Sequence, residues 1–161
     1  AKKQVMHYPT KGYAVGDGTN YEFQKPMGTN TAPFNFDDEA MGPDGVSNVS
    51  TQKILRAGGI VMPRACTLTR WTGWAVSAGS SADTFIGLFK VTIARNENTN
   101  YNFVELEEFQ YTALGNNKAE DFDISSGFTE TAIAAGDIIF PGLKGASGAI
   151  QYFSGTFEVE F

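Results

Sequence analysis

His7 and Cys66 are the only histidine and the only cysteine of this 161-residue chain, and together they limit what covalent chemistry it can do. A Ser–His–Asp or Cys–His centre needs an imidazole held by a rigid scaffold beside the nucleophile. His7 lies in a stretch without sustained periodicity, so no such centre is expected. One His and one Cys are too few for a histidine-rich metal site or a structural zinc. Cys66, set in Ala65–Thr69 beside Leu68, reads as an inert, buried strand residue. A lone thiol makes no internal disulfide, which suits folding in a reducing cytoplasm.

Carboxylates are the next group with chemistry to offer. Asp37, Asp38 and Glu39 are consecutive, and Glu120, Asp121 and Asp123 form a second group, but neither follows the spacing of a calcium loop. Glu105 and Glu107 share one face of a strand with Glu108 opposite, a pattern of solvated charge. A glycosidase needs two carboxylates about 5–9.5 Å apart, and nothing in the sequence brings a pair that close. Gly16-Asp17-Gly18-Thr19-Asn20 and Gly142-Leu143-Lys144-Gly145 lack the following helix of a phosphate-binding loop and read as turns. No enzyme activity, cofactor or metal is therefore expected.

Trp71, Trp74, Tyr101 and Tyr111 carry the remaining chemistry, which is stacking. Trp71 and Trp74 are candidates for a sugar-binding platform, but core packing or a subunit contact is the stronger reading. Being three residues apart, they cannot share a face of a regular strand. Gly73 between them is expected to mark a bulge that realigns both rings.

The elements that must position these residues are strands. Dense or alternating apolar segments follow one another at Gly59–Arg64, Cys66–Ala78, Thr84–Arg95, Tyr101–Leu114, Asp137–Leu143, Ala149–Phe153 and Gly155–Phe161, with Gly, Ser, Asn and Asp turns between them. Short strands at such spacing indicate an all-β sandwich, jelly roll or barrel, and 58–161 read as one antiparallel β-sandwich. Phe85, Phe89, Val91 and Ile93 fall on one face of a strand, Thr84, Lys90 and Thr92 on the other. Phe153, Phe157, Val159 and Phe161 likewise oppose Tyr152, Ser154, Thr156, Glu158 and Glu160. Each set is expected to have one face in the core and one in solvent.

Residues 1–57 read differently. They hold four of the six prolines (Pro9, Pro26, Pro33, Pro43) and short aromatic islands at Tyr13–Val15, Tyr21–Phe23, Phe34 and Phe36. The expectation is an extended N-terminal arm. Its islands either pack on the chain's own sandwich, with Tyr21–Gln24 adding an edge strand, or dock on neighbouring subunits. An arm of the second kind predicts that deleting Ala1–Ser50 leaves a folded domain.

Charge narrows the partners. Ala1–Ala57 carries six basic and six acidic residues, and Gly58–Phe161 six basic and twelve acidic, so the formal net charge of −6 sits wholly in the sandwich. An acidic domain without a basic patch disfavours nucleic acid. Ala1–Thr10 lacks the apolar run of a signal peptide, and no segment approaches the length of a membrane helix, so no membrane insertion is expected.

One layout stands out. Gly58-Gly59-Ile60-Val61-Met62-Pro63-Arg64 leads into Ala65-Cys66-Thr67-Leu68-Thr69-Arg70-Trp71 and a strand reaching Ala78. Phe128, Ala135-Gly136-Asp137-Ile138-Ile139-Phe140-Pro141-Gly142 and the closing strand Gly155–Phe161 follow. This order resembles the jelly-roll domains of tailed-phage virion proteins, such as head fibres, decoration proteins and tail-fibre knobs, which are akin in layout to tumour-necrosis-factor-like heads. The resemblance covers about two-thirds of the chain. It implies a non-enzymatic structural role in the virion after assembly in the host cytoplasm. It also implies a homo-oligomer, with a trimer favoured, and attachment to other virion proteins through the N-terminal arm. It offers no catalytic residues. The alternative function is a glycan-binding module that recognises a host-surface receptor.

Overall fold

The computed structural model describes residues 3–15, 21–23, 40–42, 49–50, 59–78, 83–95, 100–101, 103–111, 118–145 and 150–161. Among them the regular secondary structure is all strand, with no helix. In chain order the strands are β1 (Val5–Val15), β2 (Tyr21–Phe23), β3 (Ala40–Gly42), β4 (Val49–Ser50), β5 (Ile60–Val61), β6 (Cys66–Ala78) and β7 (Thr84–Val91). They continue as β8 (Asn100–Tyr101), β9 (Val104–Tyr111), β10 (Ala119–Ile124), β11 (Ala132–Ile133), β12 (Ile138–Lys144) and β13 (Ile150–Glu160).

Two antiparallel sheets form the sandwich. The first has the order β1-β13-β6-β10, with β11 also on β6; the second runs β3-β2-β12-β7-β9, with β5 also on β12. A small β4-β8 pair stands apart. Taking the strands β1, β2, β6, β7, β9, β10, β12 and β13 as first to eighth, the sheets read 1-8-3-6 and 2-7-4-5. That interleaving is the double Greek key of a jelly roll.

The sheets take strands from both sides of residues 57 and 58. Of the two alternatives left open for the N-terminal segment, residues 5–15 pack on the chain's own sandwich: β1 pairs with β13 from Val5↔Glu160 to Val15↔Ile150. Tyr21–Phe23 also joins a sheet, with Phe23 opposite Gly142. The sequence pattern hid β1 because Pro9 interrupts it. Phe161 N–H donates to the Gln4 carbonyl at 2.9 Å, which makes Gln4 and Phe161 a hydrogen-bonded pair. Alternate residues of an antiparallel strand aim their polar groups to the same side. The odd-numbered positions, Pro9 among them, therefore face the free edge. A proline there removes an N–H that has no ladder partner among the described strands, and it blunts the edge against further pairing.

The main core fills the space between the sheets. Leu68, Trp71, Phe122, Phe153, Phe157 and Val159 come from the first sheet, and Ile86, Leu88, Leu106, Tyr111, Ile139 and Leu143 from the second. A second cluster of Phe89, Val91, Phe103, Ile138 and Phe140 covers the outer side of the β7-β12 region. This corrects the expected alternation in β7. Ile86 and Leu88 are buried on the inner face and Phe89 and Val91 on the outer, so both faces carry buried apolar side chains. β13 keeps the expected alternation, with Phe153, Phe157 and Val159 inward and Tyr152 and Ser154 exposed.

Candidate functional site

Trp71 and Trp74 lie on opposite sides of the first sheet. Trp71 is 0% exposed, with its ring edge-to-face on Phe122 at 4.6 Å and tilted against Phe153 at 6.3 Å, whereas Trp74 is 58% exposed. The bulge expected at Gly73 is not there: Gly73 stands in register with both Gly155 and Phe122. The irregularity falls instead where Glu158 pairs with Arg70 and Val159 with Leu68, leaving Thr69 as the extra residue. Its hydroxyl bonds back to Glu158, to the carbonyl at 3.2 Å and to Oε1 at 3.0 Å. The bulge thus places Leu68 and Trp71, three apart, on the same inner face. Trp71 Nε1 finds no acceptor among the described residues, so the indole is held there by packing alone.

Two glycines set the floor beneath Trp74. Gly73 and Gly155 face each other across β6 and β13 and point inward. A Cβ on Gly155 would stand 2.6 Å from Phe153 Cζ and 2.6 Å from the Thr72 carbonyl oxygen; one on Gly73 would stand 2.9 Å from Phe153 Cε2. The Phe153 ring occupies the space both side chains would need.

On the outer side the residues run in rows across the sheet. One row is Lys11, Ser154, Trp74 and Asp121; the next is Pro9, Thr156, Thr72 and Asp123. Small side chains between Trp74 and Pro9 leave a shallow trough of about 330 Å³, lined by Pro9, Thr72, Trp74, Ser154 and Thr156. Further along the sheet the face turns ionic. Arg70 holds Asp123 through Nε at 2.8 Å and Nη2 at 2.5 Å, His7 Nδ1 lies 3.5 Å from Glu158, and Lys3 lies 2.6 Å from Glu160. The Arg70 guanidinium holds the Asp123 carboxyl below the usual carboxylate range.

The other residues singled out in the sequence do not join this face. Cys66 is buried, and burial, with Asp137 nearby, pushes its thiol up, which makes it a poor nucleophile. Asp137 is 2% exposed and serves a turn: its carboxylate accepts the Ala134 N–H at 2.8 Å and the Thr92 hydroxyl at 2.5 Å. Gly136, at φ 88°, makes that turn in the left-handed region glycine favours. Glu120, Asp121 and Asp123 are exposed on β10, and no cluster of three or more potential metal ligands occurs among the described residues. Asp37, Asp38, Glu39, Phe34 and Phe36 lie outside the described residues, and of the side chain of Tyr101 nothing is described. Sequence reasoning missed Thr72, Ser154, Thr156 and Pro9 as neighbours of Trp74. The register of β1 on β13 is what joins them, and no local pattern carries that register.

No family model matches the chain, and no curated protein matches it. Among solved structures it is similar to an aminopeptidase from the marine sediment archaeon Thaumarchaeota archaeon, at 11% identity and a TM-score of 0.46, over 99% of this chain and 33% of the enzyme. The chain thus spans about a third of that protein's length. It is also similar to a chain of Desmodium yellow mottle tymovirus, at 13% identity and a TM-score of 0.32, over 99% of this chain and 89% of that one.

Proposed function

We propose that this chain is a non-enzymatic structural protein of a phage virion, a jelly-roll subunit of a capsid decoration, head fibre or fibre knob. The observation that supports this reading is the 1-8-3-6 and 2-7-4-5 strand order among the described residues. That connectivity is used widely for virion subunits, and the outer face of the β1-β13-β6-β10 sheet is exposed at Trp74, Tyr152 and Ser154. The site chemistry fits an assembly role. The buried Asp137 is spent on a turn, and Cys66 is buried with its thiol pushed up.

In this reading the chain works by association with itself and with other virion proteins, a homotrimer being the favoured form. Repeated weak contacts then add up to firm attachment through effective concentration. Blunting of the β1 edge by Pro9 directs association to faces and loops rather than to open-ended strand pairing.

The test has two parts. Light scattering after size exclusion is expected to give a native mass near three times 17.4 kDa. Proteomics of density-gradient-purified virions from the source that encodes the chain is expected to find it at a fixed stoichiometry. A monomeric mass removes the trimer, and absence from purified virions removes the virion role.

A further inference from the structure

We infer that the trough between Trp74 and Pro9 is a binding site for a neutral glycan, on the outer face of the β1-β13-β6-β10 sheet. The inference does not depend on the virion reading, since it rests on the side chains of this face alone.

An indole more than half exposed at the middle of a central strand is costly in solubility and gives nothing to the core. Its surroundings give it a use. Thr72 and Ser154 lie beside it on β6 and β13, with Thr156 in the next row and Pro9 beyond. Trp74 and Pro9 stand two strands apart, about 10 Å by strand spacing. That gap accepts the thickness of one sugar ring, or its edge, between an indole and a pyrrolidine. The hydroxyl side chains of Thr72, Ser154 and Thr156 line the trough between them. A pyranose has the matching surface. Its axial C–H groups give an apolar face for the indole, and its equatorial hydroxyls exchange hydrogen bonds with Thr and Ser at the rim. Tyr152, also exposed, flanks the same row on β13 and extends the aromatic surface toward a second sugar unit.

Charge selects among glycans. Asp121, exposed, ends the row beside Trp74 and Lys11 ends it beside Ser154, so the two ends carry opposite charges, while the sandwich segment Gly58–Phe161 as a whole carries twelve acidic residues against six basic. Carboxylate- or sulfate-bearing sugars are repelled here, and neutral ones are not. The same features disfavour a protein partner, which needs a patch of about 800 Å² per side with charge depleted at its centre. Here Asp121 and the Arg70–Asp123 pair border the trough on the β10 side.

The probe is a glycan array holding neutral, sialylated and sulfated structures, followed by saturation-transfer NMR with the best neutral oligosaccharide. Binding to neutral glycans is expected, with a Kd on the order of 1 mM for one shallow site. Trp74→Ala is expected to weaken it at least about tenfold while leaving the melting temperature unchanged. Trp74→Tyr is expected to retain part of the affinity, and Ser154→Arg, which fills the trough, to abolish it. The inference is overturned if no neutral glycan binds, if charged glycans are preferred, or if Trp74→Ala binds as the parent does. It is also overturned if Trp74→Ala lowers the native mass, since a second copy of the chain would then cover this face.

Discussion

Gly155 and Phe153 share the inner face of β13, and the ring of the phenylalanine lies where a Cβ on the glycine would go, 2.6 Å from it. Gly73 on β6 is shut in by the same ring and by the Ser154 carbonyl oxygen at 2.8 Å. Alanine at either position must push the ring or the neighbouring strand aside. Gly155→Ala and Gly73→Ala are each expected to destabilise the chain by about 1–3 kcal/mol, the usual cost of overpacking. Urea unfolding measures it. A loss below about 0.5 kcal/mol would mean the ladder yields freely at this point.

The two tryptophans are expected to respond in opposite ways. Trp71→Ala empties the centre of the main core and should cost about 3–5 kcal/mol, enough to unfold a marginal domain. Trp74→Ala should stay within about 0.5 kcal/mol, as surface changes do. Thermal melts of the two variants side by side decide it. Equal losses would contradict the placement of the rings on opposite faces.

Tyr111 sets an alkaline limit. Burial raises its phenol above the ordinary value, Glu120 and Asp121 raise it further, and its hydroxyl donates to the Glu120 carbonyl at 2.9 Å. The folded value is higher than the unfolded value of about 10. The stability linked to this group is therefore full below about pH 10 and is lost as pH rises toward the folded value. In a spectrophotometric titration at alkaline pH, one of the six tyrosines should ionise only together with unfolding. Ionisation of all six near pH 10 with the fold intact would contradict its burial.

At the acid end the sign reverses. Asp123 is lowered first by its hydrogen bond from Arg70, and Glu130 first by the backbone N–H groups of Ala132 and Thr131. Stability linked to a lowered carboxylate is present above its unfolded value, about 3.9 for Asp and 4.3 for Glu. It is lost as pH falls through the folded value. Asp123 is exposed and Glu130 only partly buried, so the effect is modest. Carboxyl-carbon NMR should give midpoints below those reference values. Arg70→Gln should move Asp123 back up and leave Glu130 where it was.

Removing residues 1–15 tests the role of β1. The register from Val5 to Val15 makes it the outer strand of the first sheet, and Tyr8 stacks on Phe157 with ring centroids 5.2 Å apart. The truncated chain would present β13, with its buried Phe157 and Val159, as a new edge. It is expected to unfold or aggregate, the opposite of what a detachable arm predicts. A soluble, cooperatively melting product would return residues 1–15 to the status of an arm.

The β-sandwich was legible in the sequence because β13 and β6 carry periodic signals that local sequence encodes directly. What stayed hidden depended on partners. β10 reads as Ala-Glu-Asp-Phe-Asp-Ile, an acidic run, because this outer strand gives the core only Phe122 and a half-buried Ile124. Ser154 and Gly155 look like a turn between two short strands, yet β13 runs unbroken from Ile150 to Glu160 because Gly73 opposite makes room for Phe153. The site was half legible. Trp74 was singled out as an aromatic, but the hydroxyls and Pro9 reach it from strands far away in the chain.

The pairing of β1 with β13 has a consequence in time. On the ribosome β1 is made first and β13 last of the strands described, so β1 waits for its partner while every other described strand is made. Closing a contact of that sequence separation is slow. During the wait a β1 from one nascent chain can meet the finished β13 of another on the same message. Crowded translation therefore favours strand exchange between copies, and dilution favours the closed single chain.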